Sequence, residues 1–356
     1  MVSNSKHEGA ICKIDHPKIE KKFDTLLKLK DLDQKIEEAP ALVESFEENL
    51  AEILADAFDD GDSRSFSSLL CVHRILYRIN RLKLFWYDDL ENYANEDSQY
   101  LFKIRNQMES AWQTWEMSRL TREPVSSLDV VEALKERIAT DLDPEPSPES
   151  LYFRNEMTLE GYRRLLAIAS LDGLVEASQL SRVLGGAANE IQSTLTRIFL
   201  EEYGGGRYHR KHSSYFSAML EKLDMKTQPE AYFDRVPWEV LANINHSFFI
   251  SEGKRQFLRY VGGLLYTEVS VPAAFVNFLL AGERLGLDKD TIAYWDLHIK
   301  EDVKHGKWML DDVAAPLAGR YAQNAGEILL GYDQQRFFSA RASRAVAKSL
   351  QETHGP

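Results

Sequence analysis

The chain has 356 residues, with 43 Lys and Arg against 56 Asp and Glu, for a formal net charge of −13. A surface this acidic repels a polyanion on average, so nucleic-acid binding is not expected. Hydrophobic residues make up 44% and charged residues 28%, which excludes a disordered chain, while Cys12 and Cys71 alone cannot build a disulfide framework or a cysteine zinc cluster.

The first residues scatter Lys6, His7, Glu8 and Lys13 among polar neighbours and carry no apolar run of the signal-peptide kind, so a cytoplasmic location is expected. From there on, apolar residues recur at helical spacing and alternating strand-like runs are scarce, which predicts an all-α fold. Residues 17–38 and 41–58 read as helices separated by Pro40, since proline lacks an amide donor and is tolerated mainly in a first turn. Further helical patterns cover 65–93, 98–118 and 127–140. The stretch 141–149, DLDPEPSPE, holds three prolines and four acids and reads as a linker. It divides an N-terminal helical region, 1–145, from a C-terminal helical domain, 150–356. The N-terminal region is a candidate dimer surface or lid.

The C-terminal domain opens with a helical run at 157–184, broken at Gly185 and Gly186, and a second at 187–203, broken by Gly204, Gly205 and Gly206. Helical patterns resume at 212–223 and 252–285, the latter with a kink expected at Pro272. The longest apolar stretch, 269–282, is interrupted by Pro272 and Asn277 and falls short of the roughly 20 residues of a membrane span. Runs at 289–313 and 317–330 precede an Arg-rich segment, 336–348, that can form a final helix. Long helices with short breaks predict a bundle, whose interior is where helical proteins build metal and cofactor sites.

The most informative segment is YWDLHIKEDVKHGKWML, in which His298, Asp302 and His305 stand four and then three residues apart. On a helix they fall within roughly 60° of one another, so one face presents two imidazoles and a carboxylate. These are the ligand types of a catalytic metal with open positions; a polar stripe on a solvated helix has the same spacing. In EEYGGGRYHRKH, each glycine costs roughly 1 kcal/mol relative to alanine inside a helix. Glu202 and His212 would be about 80° out of line on an unbroken helix. A bulge or break at the glycines can bring both to one centre, and a plain loop after a helix C-terminus explains the glycines equally well. His209 in the same run is read as exposed or supporting. Glu268 lies in VGGLLYTEVSVP, too apolar a setting for an unpaired acid, so it should meet a metal, water or a buried arginine. Glu176, in LDGLVEASQL, is a weaker candidate. The combined donor set is carboxylate and imidazole without thiolate, which suits paired iron or manganese better than structural zinc.

In order and spacing, EEYGGGRYHRKH, then Glu268, then HIKEDVKH resemble the haem-oxygenase-like diiron oxidases and oxygenases, the iron-containing redox enzyme family, over about residues 157–330. The resemblance implies a haem-oxygenase-like helical bundle with an N-terminal helical extension. It implies Glu202, His212, Glu268, His298, Asp302 and His305 as ligands of two Fe(II) ions, with O2 as co-substrate, and Glu176 as the additional carboxylate of the N-oxygenating members. The implied partner is a small-molecule amine, guanidine or amino acid, together with an external electron donor. N-oxygenation of an amino-acid-derived nitrogen in a biosynthetic pathway is the favoured activity. The alternatives are desaturation, carbon–carbon cleavage or oxidative decarboxylation of an amino acid or fatty acid, haem binding, metal storage, and a non-catalytic helical interaction protein.

Overall fold

The computed structural model describes residues 14–59, 65–85, 90–120, 127–186 and 189–352; Cys12 and the other leading residues read above lie outside them. The chain forms two compact units, Met1–Ser118 and Arg119–Pro356, and the described residues contain no β-strand. The all-α expectation is met.

The first unit contains α1 (His16–Leu27), α2 (Leu32–Glu38), α3 (Ala41–Ala57), α4 (Phe66–Asn80) and α5 (Gln99–Met117). The single helix expected over 17–38 is two, because the chain turns through Asp31 at φ 54°, a left-handed conformation in which a helix cannot continue. Asp15 caps α1 by accepting from the Lys18 amide, with Pro17 in the first turn, the position where its missing N–H costs nothing. α4 packs against α1 and α3. Phe23, Phe46, Leu50, Ile75 and Trp112 are fully buried and form the apolar interior.

The second unit contains α6 (Ser127–Leu142), α7 (Pro148–Asn155), α8 (Leu159–Gly173), α9 (Glu190–Glu202), α10 (His212–Lys222), α11 (Trp238–Glu252), α12 (Phe257–Arg284), α13 (Ala293–Trp308), α14 (Ala315–Arg320) and α15 (Gly326–Glu352). The division of the chain falls between residues 118 and 119, ahead of the boundary expected at 141–149. Helix α6 is the reason. Its apolar face, Val130, Leu134 and Ile138, is buried in the core shared with α12, α14 and α15. Arg137 pairs with Asp333 at 2.7 Å and Tyr332 donates to Asp141 at 2.8 Å. The proline-rich stretch only turns the chain from α6 into α7, which Ser147 caps and Pro148 begins. The helix expected over 317–330 is interrupted between Arg320 and Gly326, and the last helix begins at Gly326, well before the Arg-rich segment.

At the centre lies α12, packed along both α13 and α15. It runs through Pro272 without interruption, and within its residues the stretch counted as too short for a membrane extends to a helix long and apolar enough to cross one. Two glycines allow the α12–α15 contact: a Cβ on Gly262 would lie 1.8 Å from the Ile328 carbonyl oxygen, and one on Gly331 would lie 1.9 Å from that of Arg259. On the other side, a Cβ on Gly306 of α13 would lie 3.5 Å from the carbonyl oxygen of Glu268. That carbonyl has lost its usual helical donor to Pro272.

Candidate metal centre

Three helices and one turn converge beside α12. Helix α9 ends on Glu201 and Glu202, and the chain then passes Gly204, Gly205 and Gly206 at φ 61°, 63° and 77°, all in the region that disfavours a side chain. Gly204 is required twice over, because its Cβ would also lie 2.4 Å from the Arg210 backbone. This tight return starts α10 at His212, and His212 Nδ1 comes to 2.9 Å from Glu202 Oε2. The glycines therefore do form a loop after a helix C-terminus, and that loop joins the two side chains. His209 lies exposed in it.

Helix α13 presents His298, Asp302 and His305 on one buried face. His298 Nδ1 donates to the Tyr294 carbonyl at 2.8 Å, which leaves Nε2 to face Glu176 Oε1 at 2.8 Å and His212 at 3.1 Å. The Tyr294 hydroxyl donates to the same Glu176 oxygen at 2.9 Å. His305 is turned the other way. Its Nε2 donates to Glu201 Oε2 at 2.8 Å, and Nδ1 points among Glu268 at 3.3 Å, Glu202 at 3.5 Å and Asp302 at 3.7 Å.

All seven residues expected from sequence are thus brought together. Donor atoms of Glu176, Glu202, His212 and His298 lie within 4.8 Å of one another, as do those of Glu202, Asp302 and His305. Glu268 adjoins the second group through His305. A further grouping, Glu201, Glu301 and His305, uses the outer nitrogen of His305 and already holds Lys304.

The electrostatics show what this arrangement lacks. Burial pushes the Asp302 carboxyl well above the usual carboxylate range, and Glu268 adds to it. Burial also raises Glu268, against the pull of His305. Burial would lower both imidazoles, but Glu268 and Glu201 outweigh it and bring His305 up to about 9. Glu176 does the same for His298, up to about 10. In return His298 outweighs burial at Glu176 and holds that carboxyl low. Glu176 Oε2, Asp302 Oδ1 and His305 Nδ1 are buried without a hydrogen-bond partner among the described residues. Buried polar atoms are otherwise almost always paired. Three bare donors aimed into a carboxylate cluster fit divalent cations, and the absence of sulfur fits iron or manganese.

A cavity of about 440 Å³ opens from this cluster. Glu176, Glu202, Glu268, His298 and Asp302 line it at the cluster, with Phe216, Phe275 and Phe278 among its apolar walls. Two acids that sequence reasoning left without a role belong to this region. Glu201 orients His305, and only its adjacency to Glu202 hinted at a function. Asp172, four residues before Glu176, lines the cavity, where burial and the Glu176 charge raise its carboxyl to about 6.

A buried carboxylate–histidine cluster at the mouth of a cavity inside a helical bundle is the kind of place where helical proteins hold metal ions. Residues 163–335, just under half of the chain, match the family model described as iron-containing redox enzyme. The chain is also 29% identical over 171 residues to nitrosourea synthase of Streptomyces achromogenes subsp. streptozoticus. That similarity spans 46% of this chain and 35% of the relative.

Proposed function

We propose that the chain is a non-haem diiron, O2-dependent oxygenase that oxidises the nitrogen of a small amine or guanidine-type substrate. The observation that carries this reading is the position of Glu202, common to both four-residue and three-residue donor groups. Glu176, Glu202, His212 and His298 would hold one ion, and Glu202, Glu268, Asp302 and His305 the other. When bound, the iron pair supplies O2 activation.

The protein's own contribution is orientation, charge and exclusion of water. The Tyr294 carbonyl fixes the His298 ring, its hydroxyl fixes Glu176, and Glu201 fixes His305; such outer hydrogen bonds set ring tautomer and ligand basicity. The aromatic wall keeps the substrate side of the cluster dry. Placing one oxygen atom of O2 on nitrogen and releasing the other as water consumes two electrons and two protons, so an external donor is required. The choice of nitrogen is supported by Glu176 as an added carboxylate and by the relative's name, since a nitrosourea contains an oxidised nitrogen.

The test is anaerobic loading with ferrous iron, removal of excess, and measurement of iron per chain, followed by O2 uptake with a panel of amines and guanidines. The expected result is about two irons per chain, the number a bridged pair requires, and amine-dependent O2 uptake yielding a product with one added oxygen atom. No retained iron, or O2 uptake indifferent to every nitrogen substrate, overturns the reading.

A further inference from the structure

The cavity beside the cluster has an unusual balance of charge. Its lining includes Asp172 together with the cluster carboxylates Glu176, Glu202, Glu268 and Asp302, while no Lys or Arg lines it among the described residues. If the diiron reading holds, those four cluster carboxylates neutralise two divalent ions. Asp172 is then left as an unbalanced charge.

Asp172 lines the cavity with an exposed side chain. Its carboxylate has no hydrogen-bond or ion-pair partner among the described residues, and the nearest charge acting on it is the like charge of Glu176. An unpaired carboxylate facing a cavity lined by other acids is stabilised when a cation meets it. None of the described residues lining the cavity supplies one.

The rest of the lining restricts what the ligand can be. The π-faces around the cluster end attract cations: Phe275 packs 4.6 Å from Trp295 and 5.3 Å from His298, and Phe278 lies 5.1 Å from Trp295. Elsewhere the polar lining is neutral. Gln335 donates to Asn243 at 2.8 Å and to Ser339 at 3.3 Å, so these amides and hydroxyls satisfy each other and none offers a positive charge to an anion. A carboxylate or phosphate brought here would be desolvated beside Asp172 with no Lys or Arg in the lining to meet it.

We propose that this cavity selects a small organic cation, an amine or guanidinium on an uncharged and largely apolar body without a carboxylate, and that Asp172 is its counter-ion. The proposal deepens the oxygenase reading by naming its substrate class, and rests on that reading through the charge balance. It separates amines from free amino acids and from fatty acids.

Calorimetric titration of the iron-loaded protein in the absence of O2 tests it with four matched probes: hexylamine, hexylguanidine, aminohexanoate and hexanoate. Hexylamine and hexylguanidine are expected to bind, aminohexanoate roughly 10-fold or more weakly, and hexanoate not at all. D172N should weaken the two cations by roughly 10- to 100-fold, the range for a hydrogen bond to a charged group, with bound iron and melting temperature unchanged; D172E should restore part of the loss. Binding of aminohexanoate or hexanoate as tight as hexylamine overturns the proposal, as does unchanged amine affinity in D172N, or failure of both cations to bind. The selectivity among probes needs only the unaltered protein, so it stands even where a variant does not fold. Iron content in the same samples separates the two readings. Absent iron with Asp172-dependent amine binding refutes the diiron assignment and keeps this one, whereas two irons with carboxylate preference does the reverse.

Discussion

Asp33 in the first unit and Asp302 in the second are both aspartates on helices, and they are held in opposite ways. Asp33 accepts from the Ser98 hydroxyl at 2.6 Å and from the Gln99 and Tyr100 amides at 2.7 and 3.1 Å. Burial works against its charge, but these donors at the start of α5 outweigh it and hold its carboxyl below the usual range. Asp302 sits on a buried helix face with one oxygen bare, and burial holds its carboxyl high. An acid that serves folding is satisfied by backbone amides. Asp302 is left with an unsatisfied oxygen inside a cluster of acids and imidazoles, a condition that native structures seldom carry without a reason.

The sharpest way to break this contrast is to remove each acid in turn. D302A, or H305A on the same face, is expected to abolish retention of iron at one position and to reduce any amine-dependent O2 uptake by more than about 100-fold, measured by metal analysis and an oxygen electrode. D33A should leave iron content untouched. Next in size is Glu201, which meets the far nitrogen of His305 and the Lys304 ammonium. E201A is expected to weaken iron binding by about 10- to 100-fold and E201Q by less, as for other histidine-orienting partners, read from competition with a chelator. G204A comes third: a side chain at positive φ against the Arg210 backbone costs about 1 to 3 kcal/mol. It should lower the melting temperature of the second unit and iron retention together, because the same turn joins Glu202 to His212.

The smallest effect belongs to Asp33 itself. Its loss is expected to cost about 1 kcal/mol, the usual contribution of a helix-capping carboxylate, and with a definite pH signature. Since the folded carboxyl is held below its unfolded value, the stabilisation is fully present above the unfolded pKa near 3.9 and fades as pH falls through the folded one. Urea unfolding followed from neutral pH into acid should show the unaltered protein and D33A converging. Curves that stay parallel throughout would mean that the Asp33 charge contributes nothing to the cap.

These cases also show how far the sequence could be read. His298, Asp302 and His305 were legible because four- and three-residue spacing on a helix fixes a shared face whatever surrounds it. Glu202 and His212 were legible only as an alternative, since three glycines announce a reversal without saying where the chain returns. Glu201 and Asp172 carried no local signal. Their roles depend on a histidine more than a hundred residues away and on a cavity that exists only after α8, α11, α12 and α15 assemble. The unit boundary was misplaced for a related reason: DLDPEPSPE has the composition of a linker, but the burial of Val130, Leu134 and Ile138 that ties α6 to the second unit is a tertiary fact. Proline gave opposite results at two sites. Pro148 begins a helix as its chemistry allows, whereas Pro272 sits inside α12, where packing on both sides overrides its local preference.

The pair of glycines at the α12–α15 crossing has a consequence for how this protein can vary. With backbones meeting at Gly262 and Gly331, the two helices fit in one register, and one residue inserted between Gly262 and Glu268 would swing the glutamate about 100° away from the cluster. Six residues of α12 therefore act as a ruler from a crossing point that bears no side chain to an acid of the buried cluster. Length changes should be tolerated in the turns between helices and rejected in that short interval, so a deletion scan of α12 would find the boundary of the site farther from the proposed ligands than any single-residue substitution would reveal.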